Sequence, residues 1–129
     1  MAVLTIIDES TRGKEQSWSL EVLEETISLR ELIRRRIYQE VTEYNARAAG
    51  AFRGLVQPTE AERVLNGCRL RPGRRIDWEA QYHKAIEAFR HTGFLLLVDD
   101  RHLVDLDDEV DLRPGSNVTF LRLLPLVGG

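Results

Sequence analysis

Apolar and polar residues alternate at both ends of the chain, and helical spacings fill its middle. "AVLTIID", residues 2–8, is β-branched and aliphatic and predicts a strand. "ESTRGKE" reads as a polar turn centred on Gly13. In "SWSLEVLE", Trp18, Leu20 and Val22 alternate with Ser19, Glu21 and Leu23. That alternation predicts a half-buried strand closing an N-terminal hairpin. "SLRE" at 28–31 is a capping box that opens a helix, with Ser28 as cap and Glu31 reaching back. Leu29, Leu32, Ile33, Ile37, Val41, Tyr44 and Ala48 form its apolar stripe, which should pack on a sheet. Arg30, Arg34, Arg35, Glu40 and Glu43 lie opposite, and the triplet "RRR" at 34–36 reads as part of a solvated face.

Residues 49–76 are the least regular, punctuated by Gly50, Gly54, Pro58, Gly67, Pro72 and Gly73. "TEAE" at 59–62 is a second capping box and predicts a short helix that Gly67 closes. "CRLRPGRR" reads as an exposed basic loop. Asp77 caps a clearer helix whose apolar face holds Trp78, Tyr82, Ala85, Ile86 and Phe89, with Gly93 as terminator. His83 and His91 fall on this helix too far apart to share a turn, and both read as surface residues. "FLLLV" at 94–98 is a continuous apolar run of strand length, "DDR" a turn, and "HLVDL" a short strand. "DDEVDLRPGS" is an acidic connection ending in a Pro-Gly turn; it lacks the glycine of an EF-hand loop, so a solvated turn accounts for its acids. "NVTFLRLL" is the last strand, with Val118 and Phe120 on one face and Thr119 and Leu121 on the other. Strands, helices and strands again in this order predict an α+β fold with a mixed sheet.

The chain has 129 residues, which fits a single domain, and 43% hydrophobic with 30% charged residues, the proportions of an ordinary globular protein. A net charge of −3 argues against nucleic acid as a partner. No stretch approaches a membrane span, and the N-terminus has no signal-peptide pattern, so the expected location is the cytoplasm with no membrane partner. Cys68 is the one cysteine, so no internal disulfide is possible; it reads as a plain thiol in a reducing compartment. No Gly-rich phosphate loop, metal-ligand spacing or nucleophile–base pair is visible, so no cofactor and no catalytic residues are expected.

With this element order, the ending "NVTFLRLLPLVGG" resembles the last strand and tail of ubiquitin, and "LLLVDDRHLVDLDDEV" resembles ubiquitin's third and fourth strands. Ubiquitin ends L-R-L-R-G-G; here Leu124, Leu126, Gly128 and Gly129 coincide with it, while Pro125 and Val127 replace its arginines. The tail is also similar to those of the Gly-Gly sulfur carriers, the small subunit of molybdopterin synthase and the thiamine-pathway carrier. The resemblance covers residues 2–44 and 94–129, and the layout is most similar to the ubiquitin-like proteins of bacterial conjugation operons. It implies a ubiquitin-like β-grasp over residues 1–129: a mixed five-stranded sheet packed by a central helix, with a helical insertion at 45–92 and a projecting tail at 125–129.

The resemblance further implies that the chain is a substrate and carrier rather than an enzyme. The carboxylate of Gly129 would be adenylated by a dedicated activating enzyme and joined to amines of target proteins, with a conjugating enzyme and a deconjugating protease as further partners. Without tail arginines, ubiquitin's own activating enzyme is not the expected partner. Glycine at 128 and 129 allows the close backbone approach such chemistry needs. Leu124, Leu126 and Val127 offer side chains to a partner, and Pro125 lowers the entropy of ordering the tail. Leu121 and Leu123, with Leu95 or Leu97 beside them, are the candidate recognition face; the register near Arg122 is open, because a bulge there would reverse the faces. The second function class is a sulfur carrier with a Gly129 thiocarboxylate, which shares the adenylation step. The third is a binding module with no terminal chemistry. Lys14 and Lys84 are the only lysines among 18 basic side chains, so single or short modifications are expected over long chains.

Overall fold

The computed structural model describes residues 2–47, 51–58, 62–64, 67–69 and 75–123; of 62–64 and 67–69 it describes the backbone. Its elements are β1 (Ala2–Ser10), β2 (Gly13–Val22), β3 (Thr26–Ser28), α1 (Leu29–Arg47), β4 (Glu62–Val64), β5 (Gly67–Arg69), α2 (Trp78–Arg90), β6 (Phe94–Val98), β7 (Arg101–Leu103), β8 (Glu109–Asp111) and β9 (Asn117–Arg122). The chain forms two compact units, Met1–Leu32 with Ala88–Gly129, and Ile33–Glu87.

The first unit contains a mixed five-stranded sheet in the order β2-β1-β9-β6-β7. β1 and β2 form the expected hairpin, antiparallel from Ala2↔Val22 to Ser10↔Gly13. β9 enters beside β1 and parallel to it, and β6 pairs antiparallel on its other side. Alternation sorts the faces as the sequence predicts. Leu4, Ile6, Leu96, Val118 and Phe120 are fully buried, and Leu20 and Val22 lie behind β1 on the same side. Phe94 stacks obliquely between Phe89 and Phe120, with ring centroids 5.6 Å and 6.0 Å away. The Asp99-Asp100 turn has both residues at positive φ (47° and 69°), the mirror-image turn that suits the twist of a two-residue hairpin. The Asp99 carboxylate then accepts a hydrogen bond from the Asn117 N–H, which ties this turn to the start of β9. At the Pro-Gly turn, Gly115 has φ 83° and the Ser116 N–H donates to the Arg113 carbonyl, as a type II turn requires.

The acidic connection is solvated, as expected, but it is also structural. β8 within it pairs with β3 as a small second sheet that the sequence pattern does not reveal. The Asp105 side chain accepts from the Asp107 N–H and closes a tight loop. That loop presents the carbonyls of Asp108 and Leu106 to the N–H groups of Leu29 and Arg30. Ser28 Oγ accepts from the Glu31 N–H at 3.1 Å, the predicted cap. The first-turn donors of α1, which have no partner inside the helix, are thereby satisfied. At the other helix, Gly93 is not the left-handed residue of the C-terminus. Thr92 is, at φ 58°, and Gly93 donates to the Ala88 carbonyl while Thr92 donates to Phe89. Glycine at 93 gives room for this bond, since a Cβ would stand a tight 3.2 Å from that carbonyl oxygen. His83 and His91 are exposed, and His91 lies one residue past the helix end.

In the second unit, Ile33, Ile37, Val41 and Tyr44 of α1 are buried as predicted, and Tyr44 meets Phe52 edge-on at 5.3 Å. Ala48 lies outside the described residues. Arg36 corrects the reading of the arginine triplet as a solvated face: it is only 1% exposed. Three consecutive helical residues sweep about 200°, so they cannot all lie opposite the stripe. Arg36 stands three residues after Ile33 and four after Leu32, within the apolar face. Its guanidinium donates to Glu40 at 3.2 Å, and the other Glu40 oxygen accepts from the Leu55 N–H. Gly54 fits below this pair, where a Cβ would collide with the Phe52 ring. Asn45 donates to the Ile76 carbonyl and accepts from the Ile76 N–H, and buried Gln81 donates to the Val56 carbonyl. Arg34 stacks on Trp78, whose ring also meets Tyr38 edge-on. Residues 45–92 are therefore not simply helical. The helix expected from "TEAE" is replaced, where described, by β4, which pairs with β5 through Arg63↔Cys68; Thr59, Glu60 and Ala61 lie outside the described residues. The short Val64–Gly67 connection favours a hairpin over a helix too brief to stabilise its own nucleus.

Candidate functional site

The site expected from the sequence begins where β9 ends. β9 carries its apolar residues at every second position, so one face is anchored in the core and the other is turned outward. On the outward face Thr119 lies between Ile7 of β1 and Leu97 of β6. Leu121 lies between Glu9 and Leu95 in the next row. Ile7, Leu95, Leu97 and Leu121 are all half-buried. They make an aliphatic strip across three strands, flanked by Ser17 of β2 and His102 of β7, which are exposed. Both Leu95 and Leu97 therefore join Leu121, where the sequence left a choice between them. Leu123 follows the strand and is 37% exposed. Leu124, Pro125, Leu126, Val127, Gly128 and Gly129 lie outside the described residues.

The register through Arg122 is continuous in both ladders, with Ser10↔Arg122 on one side and Phe94↔Arg122 on the other. The irregularity sits instead in the neighbouring hairpin. Asp8 pairs with Gln16 and Glu9 with Lys14, which leaves Glu15 as the extra residue of β2. Glu15 forms an ion pair with Arg122, 107 positions along the chain. Beside it, the Leu123 N–H donates to the Gly93 carbonyl at 3.0 Å. Neither contact could be found from patterning. The one signal in the sequence was the polar run from Thr11 to Ser17, in which alternation lapses.

Asp8 is buried on the core side of β1, and its carboxylate accepts from Gln16 Nε2 at 2.7 Å. Among the described residues no group of three His, Cys, Asp or Glu side chains could hold a metal ion, and no helix is long and apolar enough to cross a membrane. Lys14 is exposed in the β1–β2 hairpin, and the Lys84 ammonium donates to the Gln57 carbonyl at 2.6 Å. Compared with protein-family models, with characterised proteins and with solved structures, the chain matches none.

Proposed function

We propose that the five-stranded sheet is a β-grasp and that the chain is a ubiquitin-like modifier, activated and conjugated through the carboxylate of Gly129. The observation that carries this reading is the position of β9. It lies between β1 and β6, parallel to β1, in the order β2-β1-β9-β6-β7. That is the strand order expected of a β-grasp whose hairpin opens the chain and whose last strand inserts beside the first. The sequence that follows β9 is aliphatic and ends in Gly128-Gly129. The half-buried strip of Ile7, Leu95, Leu97 and Leu121 is compatible with this reading as a face for partners, since contiguous aliphatic side chains on one sheet face offer a partner apolar contact.

In the proposed reaction, with Gly129 terminal in the mature protein, a carboxylate oxygen attacks the α-phosphorus of ATP. A C–O–P linkage forms and pyrophosphate leaves. A target amine then attacks the acyl carbon, AMP departs with the C–O bond pair, and the amine proton passes to solvent. The chain contributes no acid or base to either step. It supplies an end thin enough to enter a partner's site and a rigid body for that partner to hold.

The test is incubation with ATP and an extract of the source cells, followed by mass spectrometry of peptides bearing the C-terminal residues. Gly129 in amide linkage to protein amines is the expected product. A Gly129 thiocarboxylate without amide products would replace this reading with the sulfur carrier. Full activity in a chain lacking Gly128 and Gly129 would replace both with a binding module.

A further inference from the structure

We infer that Glu15 and Arg122 are positioning residues that set how the segment after β9 is presented, an inference that rests on the reading of Gly129 as the reacting end. A β-bulge adds one residue to a strand and re-aims a side chain. In β2 that extra residue is Glu15, and the bulge turns its carboxylate across β1 toward β9. Ser10 of β1 lies between them in register, partnered by Gly13 on one side and Arg122 on the other, and is buried. The pair thus spans three strands at the edge of the core. On the opposite flank of β9 the Gly93 carbonyl holds the Leu123 N–H, and Gly93 is itself fixed by its hydrogen bond to Ala88. The end of β9 is fastened from both sides, by a charge pair toward β2 and a backbone bond to Gly93, next to the start of β6.

A fastening of this kind has a purpose where the following residues must be delivered in one direction. Its energetic contribution to global stability is small, because Arg122 and Glu15 are 33% and 40% exposed in their side chains and exposed ion pairs add little. Its local effect falls on the backbone bond from Leu123 to Gly93, which opens without unfolding the sheet. Loss of the pair lets Leu123 detach, so the point from which the following residues start is no longer fixed. A partner enzyme then meets the reactive end in the correct pose less often.

The experiment compares the natural chain with Glu15→Arg, Arg122→Glu and the double exchange, each at a temperature where circular dichroism shows it fully folded. Two quantities are read: hydrogen exchange of the Leu123 amide, and the fraction of the protein joined through Gly129 after incubation with ATP and source-cell extract. Each single reversal should speed Leu123 exchange by roughly fivefold, the ceiling for an exposed pair, and lower the Gly129-linked fraction by a similar factor. The double exchange should restore both. Unchanged exchange in the single variants overturns the proposal, as does linkage that stays normal while exchange quickens, or a double exchange that rescues neither. If the natural chain forms no Gly129 linkage, the functional reading fails and delivery of the end fails with it, whatever the exchange rates; the natural-chain control separates that failure from the others.

Discussion

Each of the two compact units is stabilised internally, and by different means. The interior of the first is an alternating sheet in which Leu4, Ile6, Leu96, Val118 and Phe120 exclude water, and its buried polar residues Asp8, Ser10 and Ser116 sit near strand ends. The second buries a guanidinium and an amide, Arg36 and Gln81, and uses side chains to bind the backbone of its irregular segments. A regular sheet satisfies its own backbone through ladders, so its side chains are free to be apolar. Loops have no ladder, and each buried N–H or C=O in them requires a partner. Glu40, Asn45 and Gln81 are those partners.

The largest effects should fall on the interior of each unit and differ in how they combine. Phe120→Ala is expected to cost about 3–5 kcal/mol through the cavity it leaves. Arg36→Met should cost about 1–3 kcal/mol, because it removes the charged donor that faces the Glu40 carboxylate in a largely buried setting. Urea denaturation measures both. Arg36→Met together with Glu40→Met should cost less than the sum of the two single changes, by about 1–3 kcal/mol; strict additivity would show that the pair does not act as a unit. Asn45→Ala should cost about 1–3 kcal/mol, since it leaves both polar groups of Ile76 unpaired. A neutral result would mean that water replaces the amide and that the contrast between the units is overstated.

Smaller effects test the outer face and the turns. Leu121→Ser should change stability by less than about 1 kcal/mol, as a half-exposed site, yet reduce Gly129 linkage severalfold if the strip serves partners. Equal linkage in this variant would remove the strip from the proposed function. Thr92→Gly should raise stability by about 0.5 kcal/mol, because a β-branched residue at φ 58° carries left-handed strain that slightly exceeds the entropy cost of glycine. A fall in thermal midpoint would indicate that the threonine side chain makes a contact worth more than the strain.

The sheet was legible because period-two alternation encodes which side is wet. Val118, Phe120, Thr119 and Leu121 fall where that alternation puts them. The capping box at Ser28 was legible for a similar reason, as a local geometry with a local signature. Arg36 was not, because charge alone suggests solvent while helical spacing puts the residue inside. β3 with β8, and Glu15 with Arg122, depend on pairings between distant segments that no window of sequence contains. The β4–β5 hairpin was hidden by a capping-box pattern that occurs without a helix to cap. Of the candidate site, the outer leucines could be read from alternation. The bulge that links its edge to β2 could not, since it depends on how two strands pair.

The placement of β9 has a consequence for how the protein is made. Strands β1 and β2 are neighbours in sequence and can pair as soon as both are made, but among the described elements the strand between β1 and β6 comes furthest along the sequence. Until it arrives, the inner edge of β1 stays open while most of the chain waits. Closure of the sheet joins segments far apart in sequence, the kind of contact that folds slowly. A stalled or prematurely ended chain thus lacks the middle of its sheet rather than a margin, and exposes the β1 edge to other chains. Residues bearing the proposed reactive end follow directly after this strand, so a chain long enough to carry Gly128 and Gly129 is also long enough to complete its sheet.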